Sequence, residues 1–174
     1  MKTNNLLIQD ETLSIIKLDT SMYYDIHINS LDENNRRFVP DEVFETLDIA
    51  KEVVDQLIEC YNSIDGPYVY AIIRNKDNKN IGYVQLVQIE EGWEIGYHIA
   101  IEYCNNGYAS KAVSLFLQYL KENTDIKEIY GVALKDNKAS IRVLSKNGFN
   151  IYFDGVDYYQ GELRPIIKSK REIR

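Results

Sequence analysis

The order of apolar and polar positions divides the chain into short strands and a few amphipathic helices. Thr12–Leu18 (TLSIIKL) predicts a first strand, and a short helix is expected around Ser21–Ile28, followed by a polar, charged stretch at Asn34–Arg37. In Asp48–Asn62, Val53, Val54, Leu57, Ile58 and Tyr61 recur at helical spacing, which predicts an amphipathic helix. Tyr68–Arg74, Ile81–Ile89 and Trp93–Ile101 are rich in β-branched and aromatic residues and are separated by short polar turns, the pattern of an antiparallel meander.

After Asn105-Asn106-Gly107 the period changes. Ala109, Ala112, Val113, Phe116 and Leu120 share one helical face. Ile126–Leu134 predicts another strand, and Lys138–Asn147 a short helix ended by Gly148 as its C-cap. Phe149–Phe153 and Tyr158–Ile167 read as a final strand pair, and the basic end Lys168–Arg174 as a solvated tail. The expected fold class is α+β: one domain over residues 1–174, built on a central mixed sheet.

Composition narrows the function. With 20 basic and 27 acidic residues the net charge is −7, which argues against nucleic-acid binding through phosphate-neutralising Lys and Arg. It is compatible with a cationic partner such as an amine, although solubility alone accounts for such a charge. No run approaches the roughly 20 apolar residues of a membrane span. The N-terminal MKTNNLLIQDETLS has neither an apolar signal region nor a cleavage site. Cys60 and Cys104 form no disulfide framework and no metal-ligand spacing, so a cytoplasmic chain with reduced thiols and no metal is expected.

The densest chemistry lies in Trp93–Ala112, where a strand enters a glycine-containing loop that opens a helix. Such a junction offers free backbone N–H groups and the positive end of a helix dipole to an anionic phosphate. Gly107 allows close approach to the backbone, and Asn tolerates positive φ. An ordinary strand-to-helix turn is the plain alternative; the P-loop lysine and spacing are absent. In the preceding strand Glu94, Gly96, His98 and Ala100 share one face, and Ile95, Tyr97, Ile99 and Ile101 the other. That alternation sets a carboxylate and an imidazole, two possible proton acceptors, on the same side.

Glu102–Ala112 (EYCNNGYASKA) resembles the acetyl-CoA pyrophosphate loop of the GNAT N-acetyltransferase superfamily, Arg/Gln-x-x-Gly-x-Gly/Ala. The longer form resembled is Tyr-Trp-Gly-x-Gly-Tyr-Ala-Thr-Glu-Ala, of the branch with the ribosomal-protein N-terminal acetyltransferases. Tyr103, Gly107, Tyr108, Ala109 and Ala112 match, Ser110 stands for Thr, and Glu102, Asn105 and Lys111 depart. Asn137–Phe149 (NKASIRVLSKNGF) resembles the family's Asn-x-x-Ser…Lys-x-Gly-Phe helix beside the pantetheine arm, and Ile81–Val84 its central strand. The resemblance covers roughly residues 10–155 and implies a GNAT-like domain with a mostly antiparallel, twisted sheet flanked by helices.

It further implies acetyl-CoA as cosubstrate and a primary amine, a peptide N-terminus or a small molecule, as acceptor. Direct attack by the amine is expected. Asn106, Gly107, Tyr108, Ala109 and Ser110 would bind the pyrophosphate, and backbone N–H groups near Ile99 and Ile101 the acyl and pantetheine parts. Asn137 would fix the pantetheine or the adjoining helix. The EIGY glutamate makes Glu94 the expected general base, with His98 as the alternative. Ser140 is a possible acid, since the family tyrosine position holds Leu144. A non-catalytic acetyl-CoA-binding module is the competing class. Acceptor choice is assigned to the segments Asn29–Glu45 and Tyr152–Tyr159, which carry no readable code; monomer and homodimer both stay open.

Overall fold

A computed structural model of the protein describes residues 5–174. The chain opens with a hairpin of β1 (Leu6–Gln9) and β2 (Leu13–Lys17), followed by α1 (Tyr23–Ser30), α2 (Glu33–Phe38) and α3 (Leu47–Cys60). The meander is β3 (Tyr68–Arg74), β4 (Lys79–Ile89) and β5 (Gly92–Ile99). Then come α4 (Tyr108–Asn123), β6 (Glu128–Leu134), α5 (Lys138–Lys146), β7 (Asn150–Tyr159) and β8 (Glu162–Glu172). All strands join one sheet in the order β1-β2-β3-β4-β5-β6-β8-β7, and every pairing is antiparallel except β5 with β6. The α+β sheet inferred from the sequence is therefore observed.

Both faces of the sheet centre are covered, which explains the near-continuous apolar run of β3. Tyr70 and Ile72 point into the cluster around Phe116 of α4, whereas Val69, Ala71 and Ile73 point to the cluster containing Val54 of α3. Phe116 and Val54 are fully buried. Truncating a core phenylalanine to alanine generally costs about 3–5 kcal/mol, so Phe116 anchors the helix that follows the glycine loop.

Five sequence expectations need correction. Leu6–Gln9 is a strand, added to the sheet edge by the turn in which the Asp10 carboxylate accepts from the N–H groups of Thr12 and Leu13. The polar stretch Asn34–Arg37 lies in a helix, because Asp32 caps it: its Oδ1 accepts from the Asn35 N–H at 2.9 Å. The last two strands are longer than expected, and the tail is not solvated. Lys168–Glu172 continues β8 between β6 and β7, with Ser169 and Ile173 buried. Its lysines meet acids on neighbouring strands, Lys168 with Asp157 and Lys170 with Glu128, so a basic run is accommodated in a sheet. Finally, β5 ends at Ile99, and Ile101–Tyr103 forms a single 3-10 turn.

Candidate functional site

The one parallel pairing is brief. The β5–β6 register consists of Trp93 with Ile129 and Glu94 with Tyr130, beyond which the ladder stops although both strands continue. On its other edge β5 pairs with β4 in regular antiparallel register, and the Ala100 N–H bonds the Ile81 carbonyl at 2.9 Å. Hydrogen-bonded and non-bonded pairs alternate in such a ladder. Ala100 and His98 therefore spend their N–H groups on β4, while Tyr97 and Ile99 turn theirs toward β6, into the fork where the strands part. A cleft of about 260 Å³ runs through this fork.

At one end of the cleft the glycine loop opens α4. Gly107 has φ of 79° and Asn105 φ of 62°, two left-handed residues in three. The Asn106 amide Nδ2 donates to the carbonyls of Tyr103 and Cys104 and holds the loop closed on itself. Lys111 makes the first helical bond, to the Gly107 carbonyl, and no side chain caps the helix. The N–H groups of Tyr108, Ala109 and Ser110 consequently point out without helical partners, and a Cβ placed on Gly107 meets no atom within 4 Å. An anion fits here. Ser110 also fastens α4 to the end of α5, because its carbonyl and hydroxyl both accept from Asn147 Nδ2.

The α5 end of the site is set by Asn137, whose Oδ1 accepts from the Ser140 N–H at 3.0 Å as the helix N-cap. Replacing Asn137 by Ala is expected to lower stability by about 1 kcal/mol, measured by denaturant titration. An unchanged midpoint together with weakened CoA binding would instead make it a ligand contact. The Ser140 hydroxyl lies 2.9 Å from the Tyr97 hydroxyl, which also donates to the Ser140 carbonyl. Tyr97 thus bridges the fork from β5 to α5, a contact that its place in the strand pattern does not announce. Leu144 is buried against Gly131, where an added Cβ would come within 2.7 Å of its methyl.

Glu94 lines the cleft and is half-buried. Burial raises its carboxyl to about 7, against the opposing pull of Lys168 and the Val132 backbone. A carboxylate poised there accepts a proton near neutral pH, as a general base requires. His98, on the same face, is 3.1 Å from Asp32 Oδ2, and the same Asp32 oxygen accepts from the Ile101 N–H. Ile101 therefore has no N–H free for a ligand, whereas the Ile99 N–H faces the fork; His98 Nε2 meets Asp32 as a close contact without hydrogen-bond geometry. Cys104 donates its thiol to the Ile99 carbonyl and burial pushes its pKa up, opposite to what a thiolate nucleophile needs. The far end of the cleft is lined by Asn34, Asn35, Phe38, Val39 and Glu42 from one segment, and by Tyr159 and Gln160 from another. No lysine or arginine lines it among the described residues.

Residues 16–150 match the family model described as an acetyltransferase (GNAT) domain. A Bacillus subtilis protein, the uncharacterized N-acetyltransferase YoaA, is 37% identical over 81 residues; the match spans 44% of this chain and 46% of that relative, about half its length. A GNAT-family acetyltransferase of Bacillus anthracis has the same fold, with a TM-score of 0.82 at 21% identity, covering 95% of this chain and 98% of the other. RimL, a ribosomal L7/L12 alpha-N-protein acetyltransferase solved with coenzyme A, superimposes with a TM-score of 0.81 at 19% identity over 96% and 97% of the two chains.

Proposed function

Because this chain belongs to the GNAT acetyltransferase family, we propose that it moves an acetyl group from acetyl-CoA to a primary amine, with Glu94 as general base. The observation that carries this reading is the position of Glu94 at the fork between β5 and β6, half-buried, with its carboxyl raised to about 7. The same fork presents the Tyr97 and Ile99 N–H groups.

The residues present fit the cosubstrate. An uncapped helix start with three open N–H groups and a glycine without crowding suits a pyrophosphate. The unpaired edge of β5 offers the Ile99 N–H to an amide-bearing arm and to the acyl oxygen, where a fixed donor favours developing negative charge. Acetyl-CoA, when bound, supplies the thioester carbonyl that the amine attacks and a thiol leaving group. Glu94 takes the ammonium proton before or during the attack. The Tyr97–Ser140 hydroxyl pair lies between β5 and α5, and the Ser140 hydroxyl is the group assigned to protonate the departing thiolate. A thiol near 8.5 leaves without strong acid assistance, so much of the rate comes from positioning.

The acceptor favoured is an α-amine of a peptide or protein. Proton transfer from an α-ammonium near 8 to a carboxylate at about 7 is uphill by roughly 1 kcal/mol. From a lysine ammonium near 10.4 the same step is uphill by roughly 5 kcal/mol. The kind of substrate named for RimL is the same. A peptide with a free N-terminus is therefore expected to give a higher kcat/KM at pH 7.5 than its N-blocked, lysine-containing counterpart or spermidine. A preference for either of the latter would turn the assignment to side-chain or small-molecule amines.

A further inference from the structure

Three side chains that line the far end of the cleft each keep an oxygen without a partner among the described residues: Asn35 Oδ1, Glu42 Oε2 and Gln160 Oε1, the first two residues also bordering an adjoining cavity of about 40 Å³. Their orientation is fixed. Asn35 is 1% exposed and its Nδ2 donates to the Ser30 carbonyl at 3.2 Å, so its oxygen is the atom left over. The Gln160 Nε2 donates to the Phe38 carbonyl at 3.1 Å, which leaves its oxygen over in the same way. Glu42 is held by one oxygen only, accepting from Gln85 Nε2 at 3.1 Å.

That grip on Glu42 is built into the sheet. Gln85 lies across from Gly96 in the β4–β5 register, and a Cβ on Gly96 would fall 2.6 Å from Gln85 Nε2. The absence of a side chain at Gly96 is what lets Gln85 cross β5 and reach Glu42. Orphaned buried oxygens each cost free energy comparable to a lost hydrogen bond, and a site that keeps three together is set for a ligand that donates to all of them. These three oxygens accept; of the two nitrogens likewise left without a hydrogen bond, Asn80 Nδ2 belongs to the adjoining cavity and His98 Nε2 lies 3.1 Å from a carboxylate of its own, Asp32. An ammonium brings three N–H donors and the opposite charge to Glu42.

We propose, resting on the acetyltransferase reading above, that Asn35, Glu42 and Gln160 form a subsite for a second ammonium group of the acceptor, beside the amine that reacts at Glu94. Burial raises the Glu42 carboxyl, so an unliganded subsite holds its charge at a cost that an incoming cation offsets. Glu94, Glu42 and Tyr159 line the same cleft, so the two carboxylates share one cavity. A cationic neighbour also lowers the pKa of the reacting amine, easing its deprotonation. The absence of lysine and arginine from the lining argues against a free amino acid, whose carboxylate would go unpaired.

The dication could be a small diamine or a peptide that begins with lysine, and one experiment separates them. Calorimetric titration, with coenzyme A present, compares 1,4-diaminobutane with butylamine, and a lysine-first peptide with a norleucine-first one. In the natural protein the dicationic member of at least one pair is expected to bind about tenfold tighter, and that pair identifies the source. Glu42→Gln should erase the difference, with thermal melting used to verify that the variant is folded. Equal affinities within both pairs, or a preference that survives in folded Glu42→Gln, would overturn the subsite. Turnover with acetyl-CoA is read separately: discrimination in binding without turnover keeps the subsite and rejects the transferase reading.

Discussion

Glu94→Gln is expected to lower kcat by roughly 10²–10⁴-fold while leaving acetyl-CoA affinity nearly unchanged. The substitution keeps the shape of the side chain and removes its ability to take a proton. Two further signatures distinguish lost base catalysis from general damage. In the natural protein kcat/KM should rise with pH through about 7, as Glu94 loses its proton, and the variant should lack that limb. The second signature is stability. A carboxyl raised from its ordinary value to about 7 by folding stabilises the native state least when ionised: its contribution is full below the unfolded value and is lost as pH rises through 7. Glu94→Gln should therefore be the more stable protein at pH 8, by up to about 3 kcal/mol. Near-natural turnover across this range would move the base assignment to His98.

The second large effect is expected at the loop. Gly107→Val should weaken acetyl-CoA binding at least about tenfold, or roughly 1.4 kcal/mol. No atom stands within 4 Å of the added Cβ, so the new methyl groups occupy the open mouth in front of the Tyr108–Ser110 N–H groups rather than clashing inside the protein. The left-handed φ of 79° adds a backbone cost of about 1–2 kcal/mol to any residue with a Cβ. Gly107→Asn separates the two, because Asn tolerates that conformation and still carries bulk. Calorimetric titration of both variants with acetyl-CoA is the check; unchanged affinity in a folded Gly107→Val protein would remove the loop from the binding site.

The sequence made some parts of this molecule plain and hid others for definite reasons. Elements with strong periodicity, such as the helix from Tyr108 and the strands from Tyr68 onward, were legible because each buries an apolar face. The α2 helix was hidden, since ENNRRF has no apolar stripe and depends on the Asp32 cap. The basic strand Lys168–Glu172 was hidden because its acidic partners, Asp157 and Glu128, lie on other strands.

At the site, a local backbone motif made the glycine loop visible, and strand alternation brought Glu94 and His98 to one face. Residues 34, 35, 38, 39 and 42 of the segment Asn29–Glu45, and Tyr159 with Gln160 just beyond the other segment, line the far end of the cleft. Their chemistry was unreadable, however, because Asn35 and Glu42, and Gln160 beside them, are ordinary polar residues until folding leaves an oxygen of each without a partner. The same holds for Asp32, which binds His98 and the Ile101 N–H from far away in sequence. Tyr97 belongs by alternation to the apolar face, where α5 also packs, and its contact with Ser140, 43 residues further on, is set by that packing.

The central claim is direct transfer of an acetyl group to nitrogen, and it is tested most directly by following thiol release from acetyl-CoA and the mass of the acceptor in one reaction. With a free-N-terminus peptide and a lysine-first variant of it, thiol and N-acetylated peptide should appear in equal amounts, and neither should form when the amine is blocked. Enzyme incubated with acetyl-CoA alone should keep its own mass. Specific acetyl-CoA binding without thiol release, across these peptides and a panel of small amines, would contradict the account and leave a binding module in its place.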